Sequence, residues 1–216
     1  MARCPFAEWI RSPNYDRGRN MGVSVIVQHS TVSDFASALT ELTRADSSPV
    51  SAHFLIGLDG RIVQMVDTND LAWHARQANS YSVGIEHVDN GWHQDPVRTP
   101  ELYAASARLN RWLLDMYDLD VAAIRPHREF VNTACPSGLD LGLIIAMTRG
   151  EEPDMALTGE ERNWIYESWV LAHQTKNILE THFRQNALSG AKRSVVVGKS
   201  ARAKARGAHG KEGVTK

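Results

Sequence analysis

Residues 22–29, GVSVIVQH, form a nearly continuous β-branched run. Such a run reads as a strand buried on both faces, so each side of its sheet must be covered. Helical spacing follows over residues 30–48, where Phe35, Leu39 and Leu42 recur on one side and Ser33 or Asp34 can cap. Residues 51–66, SAHFLIGLDGRIVQMV, read as a hairpin around Asp59-Gly60. Residues 82–88, SVGIEHV, read as a further core strand. Thr99-Pro100-Glu101 opens a helix with a cap, a proline at the first position and an early acid. Its buried stripe is expected at Leu102, Ala105, Leu109, Trp112, Leu113 and Met116. A short strand is expected at 121–124, a loop at 127–133 and a short helix at 139–147. Strands and helices mix without strict βαβ alternation. The fold class is therefore α/β, a mixed central β-sheet flanked by helices, with a C-terminal helix and a basic tail appended.

The domain reading divides the chain at residue 150. Its 216 residues are 43% hydrophobic, enough for one core of ordinary size with chain left over. Residues 1–150 hold that core. Residues 151–188 read as a linker and a helix over 160–185, with Thr158 and Glu161 at capping-box spacing and Ile165, Trp169, Ala172, Ile178 and Leu179 on or near one side. A lone helix of this length is marginal in water, so it is expected to pack on the body or on a second copy, and the oligomeric state stays open. Residues 189–216 are rich in Gly, Ala, Ser, Lys and Arg, and are expected to be disordered.

The net charge of −1 conceals an asymmetry. From Gly190 onward there are eight Lys or Arg and one acid, against sixteen basic and twenty-four acidic residues before it. A basic end on an acidic body suits a polyanion or another part of the same protein; a solvated end is the plainer alternative. Cys4 and Cys135 allow at most one disulfide, so this is no disulfide scaffold. The first twenty residues lack an apolar h-region, and the expectation is that there is no secretory signal. No stretch approaches the ~18 apolar residues of a membrane span.

Three residues stand out chemically. His29 ends the first core strand, His127 follows Arg125-Pro126, and Cys135 lies eight residues later, before Pro136. Imidazole and thiolate are zinc ligands, and three of them leave a fourth position for water. Singly, a strand-end His is more often hydrogen-bonded than metal-bound, and a lone Cys is usually a small buried hydrophobe. Spacing alone does not decide between these readings.

The words around them carry more. VIVQHST, SAHFLIGLDGRIVQMV, LAWHA, NSYSVGIEHV and RPHREFVNTACPSGLDL, in that order over residues 23–141, resemble the type 2 N-acetylmuramoyl-L-alanine amidases. That superfamily is shared with phage lysozyme-like amidases and peptidoglycan recognition proteins. SPNYDRGR near the N-terminus is similar to the entry segment of some members. The resemblance implies Zn2+ as cofactor, held by His29, His127 and Cys135, and peptidoglycan as substrate, cut between N-acetylmuramic acid and L-alanine; no nucleic-acid partner is expected.

Where some phage-type members carry a catalytic Tyr, this chain has Ala52; Glu86 matches the general base of members that have SAH there. Thr133 stands where some enzymes have Lys, as in several recognition proteins, and is expected to steady an oxyanion without a charge. Trp73 and His74 are expected to line the substrate groove; for Trp73 a core position is the alternative. His53 alternates on its strand and reads as a supporter of a ligand or as core, while His87, His93, His173, His182 and His209 have no motif support. The resemblance implies a phage endolysin made in the host cytoplasm and acting on the wall after release. The alternatives are a cytosolic amidase recycling anhydro-muropeptides and a recognition module that binds without cutting.

Overall fold

The computed structural model describes residues 2–45, 49–89 and 98–151. In chain order the elements are β1 (Glu8–Trp9), β2 (Tyr15–Asp16), β3 (Val25–Ser30), α1 (Phe35–Thr43), β4 (Phe54–Ile56), β5 (Ile62–Gln64), β6 (Leu71–Ala72), β7 (Ser82–His87), α2 (Pro100–Tyr117), β8 (Ile124–Pro126) and α3 (Leu141–Arg149). Six strands make one mixed sheet in the order β1-β5-β4-β7-β3-β8, and β2 pairs with β6 separately. The four neighbours β4, β7, β3 and β8 run parallel, while β5 is antiparallel to β4.

β3 lies at the inside of this sheet and is buried on both faces, as its composition requires. Ile26 and Val27 point to opposite sides and both are fully buried. On Ile26's side the sheet packs through Phe54, Ile56, Val83 and Ile85 against Leu102, Leu109 and Leu113 of α2 and Ile144 and Met147 of α3. On the other side Leu55 and Val63 meet Ala38 and Leu42 of α1, and Val27 meets Ala75 and Ala78. The carboxyl ends of β3 and β7 bring His29 and Glu86 to this second face.

The helix starts follow their caps. Asp34 accepts from Ser37 N–H, Thr99 Oγ1 from Leu102 N–H, and Asp140 from Leu143 N–H. α1 therefore begins at Phe35 and stops at Thr43, well inside the 30–48 window, and α3 begins at 141 rather than 139. Met116 is the exception in the α2 stripe. It is 38% exposed, while Tyr117 beside it packs against the core. Trp112 sits at the core's rim, edge-on to Phe6 and Phe54. Residues 121–123 are a 3-10 turn and not a strand, because Asp120 caps the N–H of Ala122; the strand starts at Ile124. Residues 127–129, expected as loop, form another 3-10 turn. The two-residue strands β1, β2 and β6 were not expected at all.

Cys4 and Cys135 are free thiols. Among the described residues no helix is long and apolar enough to cross a membrane. Beyond Glu151 the expected linker, the C-terminal helix and the basic tail, with His173, His182 and His209, fall on 152–216, and His93 on 90–97; all of these lie outside the described residues.

Candidate metal centre

Parallel strands bring their carboxyl ends to one edge, the usual place for a site in an open α/β sheet. β3, β7 and β8 do this here. His29 is the last residue but one of β3 and lies opposite Glu86 of β7 in register. Period-two alternation puts His29 on the same side as Val27, and Glu86 on the same side as Gly84 and Ser82. His127 is the first residue after β8, whose Pro126 is paired with Gln28. Cys135 returns to the edge by a loop. Arg128 N–H donates to its carbonyl at 2.9 Å, and Ser30 N–H donates to its Sγ at 3.4 Å. One donor atom from each of His29, His127 and Cys135 falls within 4.8 Å of the others. His29 Nδ1 is 3.9 Å from Cys135 Sγ and 3.8 Å from Glu86 Oε1.

Burial governs the electrostatics. The His29 imidazole is held well below its ordinary pKa by burial, with His74, His127 and His87 adding to the effect. It is therefore neutral, the form in which a histidine binds a metal. Burial pushes the Glu86 carboxyl up to about 8, with Glu41 and Asp89 acting in the same direction. Burial also pushes the Cys135 thiol up to about 11, helped by the Glu86 charge. A half-buried thiol and a largely buried acid around the same imidazole are unfavourable as anions, and a divalent cation between them would reverse that preference. Among the described residues, two buried polar atoms here have no hydrogen-bond partner, Glu86 Oε2 and His127 Nε2. Such atoms are rare in folded proteins and call for a ligand. Two nitrogens and one sulfur, with a carboxyl beside them, fit zinc with one coordination position left open.

The other expected residues are placed as follows. His74 approaches the centre through His29, with Nδ1 3.0 Å from His29 Nε2. Thr133 Oγ1 accepts from Cys135 N–H at 3.2 Å and so shapes the ligand loop. Trp73 is half-buried, and its indole N–H donates to Asp16 of β2 at 2.9 Å, tying it to the N-terminal segment. Ala52 is fully buried.

Three further residues support the site in ways sequence reasoning missed or left open. His87 is fully buried on the α2 side of β7. Its Nδ1 is 2.8 Å from the carbonyl of His29 and its Nε2 2.8 Å from Ser106 Oγ. Ser106 and Asn110 continue the network to Gln28 of β3. His53 accepts from Gly84 N–H through Nδ1 at 3.0 Å. Arg19 donates to the carbonyls of Thr68 and Asn79 and meets His53 Nε2 at 2.6 Å. The signal for His87 was its strand parity: it faces opposite to Glu86, towards a helix that had polar Ser106 and Asn110 on its inner side.

Comparison with known proteins gives a consistent result. The family model Amidase_2, described as N-acetylmuramoyl-L-alanine amidase, matches residues 19–138. N-acetylmuramoyl-L-alanine amidase A of Achromobacter lyticus is 39% identical over 77 residues, 35% of this chain and 42% of that one. The Escherichia coli amidase AmiD is 35% identical over 85 residues, 32% of this chain and 30% of that one. The chain thus spans less than half the length of either curated relative. Among solved structures, a selenomethionine derivative of AmpD shares the fold with a TM-score of 0.58 and 23% identity, over 67% of this chain and 96% of that one.

Proposed function

This chain belongs to the N-acetylmuramoyl-L-alanine amidase family, and on that footing we propose that it hydrolyses the amide between N-acetylmuramic acid and L-alanine in peptidoglycan with one zinc ion held by His29, His127 and Cys135. The observation that carries the reading is the convergence of those three donors beside Glu86, whose buried Oε2 has no partner among the described residues. Zinc in that position supplies a Lewis acid for the amide carbonyl and lowers the pKa of a water.

The chain's own groups do the rest. Glu86 takes a proton from the attacking water at Oε2 and passes it to the leaving amine of L-alanine. Burial raises the Glu86 pKa and a neighbouring cation would lower it again, which would leave the carboxylate free to accept the proton. Thr133 spends an oxygen lone pair on Cys135 N–H, which leaves its own hydroxyl hydrogen to donate to the tetrahedral oxyanion. Trp73, its N–H spent on Asp16, offers only its ring to a sugar or peptide. A module that only binds the wall has no use for a buried carboxyl beside a metal, so the catalytic reading is the better supported one. The charge asymmetry supports a role as a wall-degrading endolysin over recycling of soluble fragments, because a +7 end has an anionic wall to meet. In that reading residues 1–150 are the catalytic domain and the remainder adds wall affinity.

Clearing of a suspension of purified peptidoglycan tests the proposal. The wild type is expected to clear it, Glu86→Gln to keep zinc and fold without clearing, and Cys135→Ala to lose zinc as well. Full activity of Glu86→Gln would remove the carboxyl from the mechanism. Unchanged zinc content in Cys135→Ala, by elemental analysis, would refute the ligand set.

A further inference from the structure

The groove-lining role expected of His74 leaves both of its ring nitrogens to be accounted for, and the protein itself takes them. Nδ1 lies 3.0 Å from His29 Nε2, and Nε2 lies 3.3 Å from Ser82 Oγ. Ser82 Oγ in turn lies 2.6 Å from the carbonyl of Ala78. The backbone of His74 is fixed as well, because Asn79 Oδ1 accepts from the N–H groups of His74 and Ala75 at 3.1 and 2.6 Å.

We propose that His74 is a positioning residue of the metal centre: lying across Gly84 and anchored to Ser82, it fixes His29 to coordinate through Nδ1. With the Ser82 hydroxyl proton spent on Ala78 O and both rings neutral, the hydrogen-bond directions close in one way. If Nδ1 of His29 faces the ion, its ring proton is on Nε2 and donates to His74 Nδ1. The proton of His74 is then on Nε2 and donates to Ser82 Oγ, whose hydroxyl donates to Ala78 O. Each ring nitrogen has one role, no donor faces a donor, and the chain ends on a backbone carbonyl that cannot change its state. Reversing any link would set His29 Nε2 as acceptor, leaving the proton on the nitrogen that faces Cys135 and Glu86.

A second, independent observation is the seat. A Cβ placed on Gly84 would come within 2.6 Å of His74 Cγ and Nδ1 and 2.8 Å of Cε1. Glycine inside a strand often marks such a close approach. Here the ring lies in the space that any side chain at position 84 would fill. β7 is interior to the sheet, between β4 and β3, and the Gly84 N–H is tied to His53, so the strand cannot withdraw from the ring. A metal-ligating histidine whose other nitrogen is held in this way binds its ion more tightly, and loss of the holding group typically costs 10–100-fold in affinity.

The inference rests on the zinc reading of the same site, and the test separates the two. Zinc affinity of the full chain is measured by competition with a chelating indicator, alongside KM on peptidoglycan. Wild type that takes up no stoichiometric zinc would sink the metal reading itself. With zinc bound by wild type, His74→Leu is expected to bind it 10–100-fold more weakly, with KM little changed. His74→Asn, whose amide oxygen can accept near the position of Nδ1, is expected to recover most of that loss. His74→Leu with zinc affinity within twofold of wild type, or an effect confined to KM, would overturn the proposal in favour of a substrate contact. Should His74→Leu fail to fold, Ser82→Ala reads the same chain from its far end: a several-fold weaker affinity supports the proposal and an unchanged one overturns it.

Discussion

Replacing Gly84 by Ala isolates the seat of His74 with one methyl group. The new carbon would begin 2.6 Å from two atoms of the imidazole, whereas carbon atoms in contact sit at about 3.5–4.0 Å. The ring must retreat by roughly 1 Å, because β7 is held on both sides and Gly84 N–H is held by His53. A retreat of that size stretches the 3.0 Å contact between His29 and His74 out of hydrogen-bonding range. Overpacking of this kind costs about 1–3 kcal/mol. In a body of this size that lowers Tm by roughly 2–4 °C for each kcal/mol. Urea unfolding of the metal-free protein reads the stability term, and chelator competition reads the weakened zinc. The double variant His74→Ala, Gly84→Ala is the internal control: with the ring gone the methyl has room, so it is expected to be no less stable than His74→Ala alone. If Gly84→Ala is as stable as wild type and binds zinc as tightly, or if the double variant shows the same penalty as the single one, the seat is not where the structure puts it.

Acid is expected to destabilise the protein through His87, whose ring is pushed down to about 4 chiefly by burial. A depressed histidine is neutral in the folded state and protonates first in the unfolded state, so stability falls as pH drops below about 6.5, by about 3 kcal/mol at pH 4. Urea unfolding at pH 7 and pH 4 should show His87→Gln less acid-sensitive than wild type; equal slopes would refute the assignment. Deleting residues 190–216 is expected to weaken binding to purified wall more at low salt than at high salt, as screening requires. Salt-independent binding would remove the electrostatic role of the tail.

The sequence was most readable where local chemistry decides the outcome. The Asp59-Gly60 hairpin, the Thr99 cap and the doubly buried β3 each announce themselves within a few residues, and each is found. The family words also picked out His29, His127 and Cys135, which the fold gathers from three separate segments. What stayed hidden depends on partners distant in sequence. His74 meets His29 from 45 residues away, and Arg19 reaches His53 from 34 residues away. Neither distance leaves a periodic trace. β1, β2 and β6 are two residues long, too short for any alternation to register. The one local clue left unused was Gly84, a glycine inside an otherwise packed strand, which marks a close approach but not what approaches.

The central claim is that this chain cuts one particular bond with a metal. Mass spectrometry of the fragments released from purified peptidoglycan, by zinc-loaded protein and by the same protein after chelation, tests it most directly. The account predicts free stem peptides beginning with L-alanine and intact glycan strands from the loaded protein, no release after chelation, and recovery on adding zinc. Release of sugar fragments, cleavage within the stem peptide, or undiminished activity in the chelated protein would contradict it.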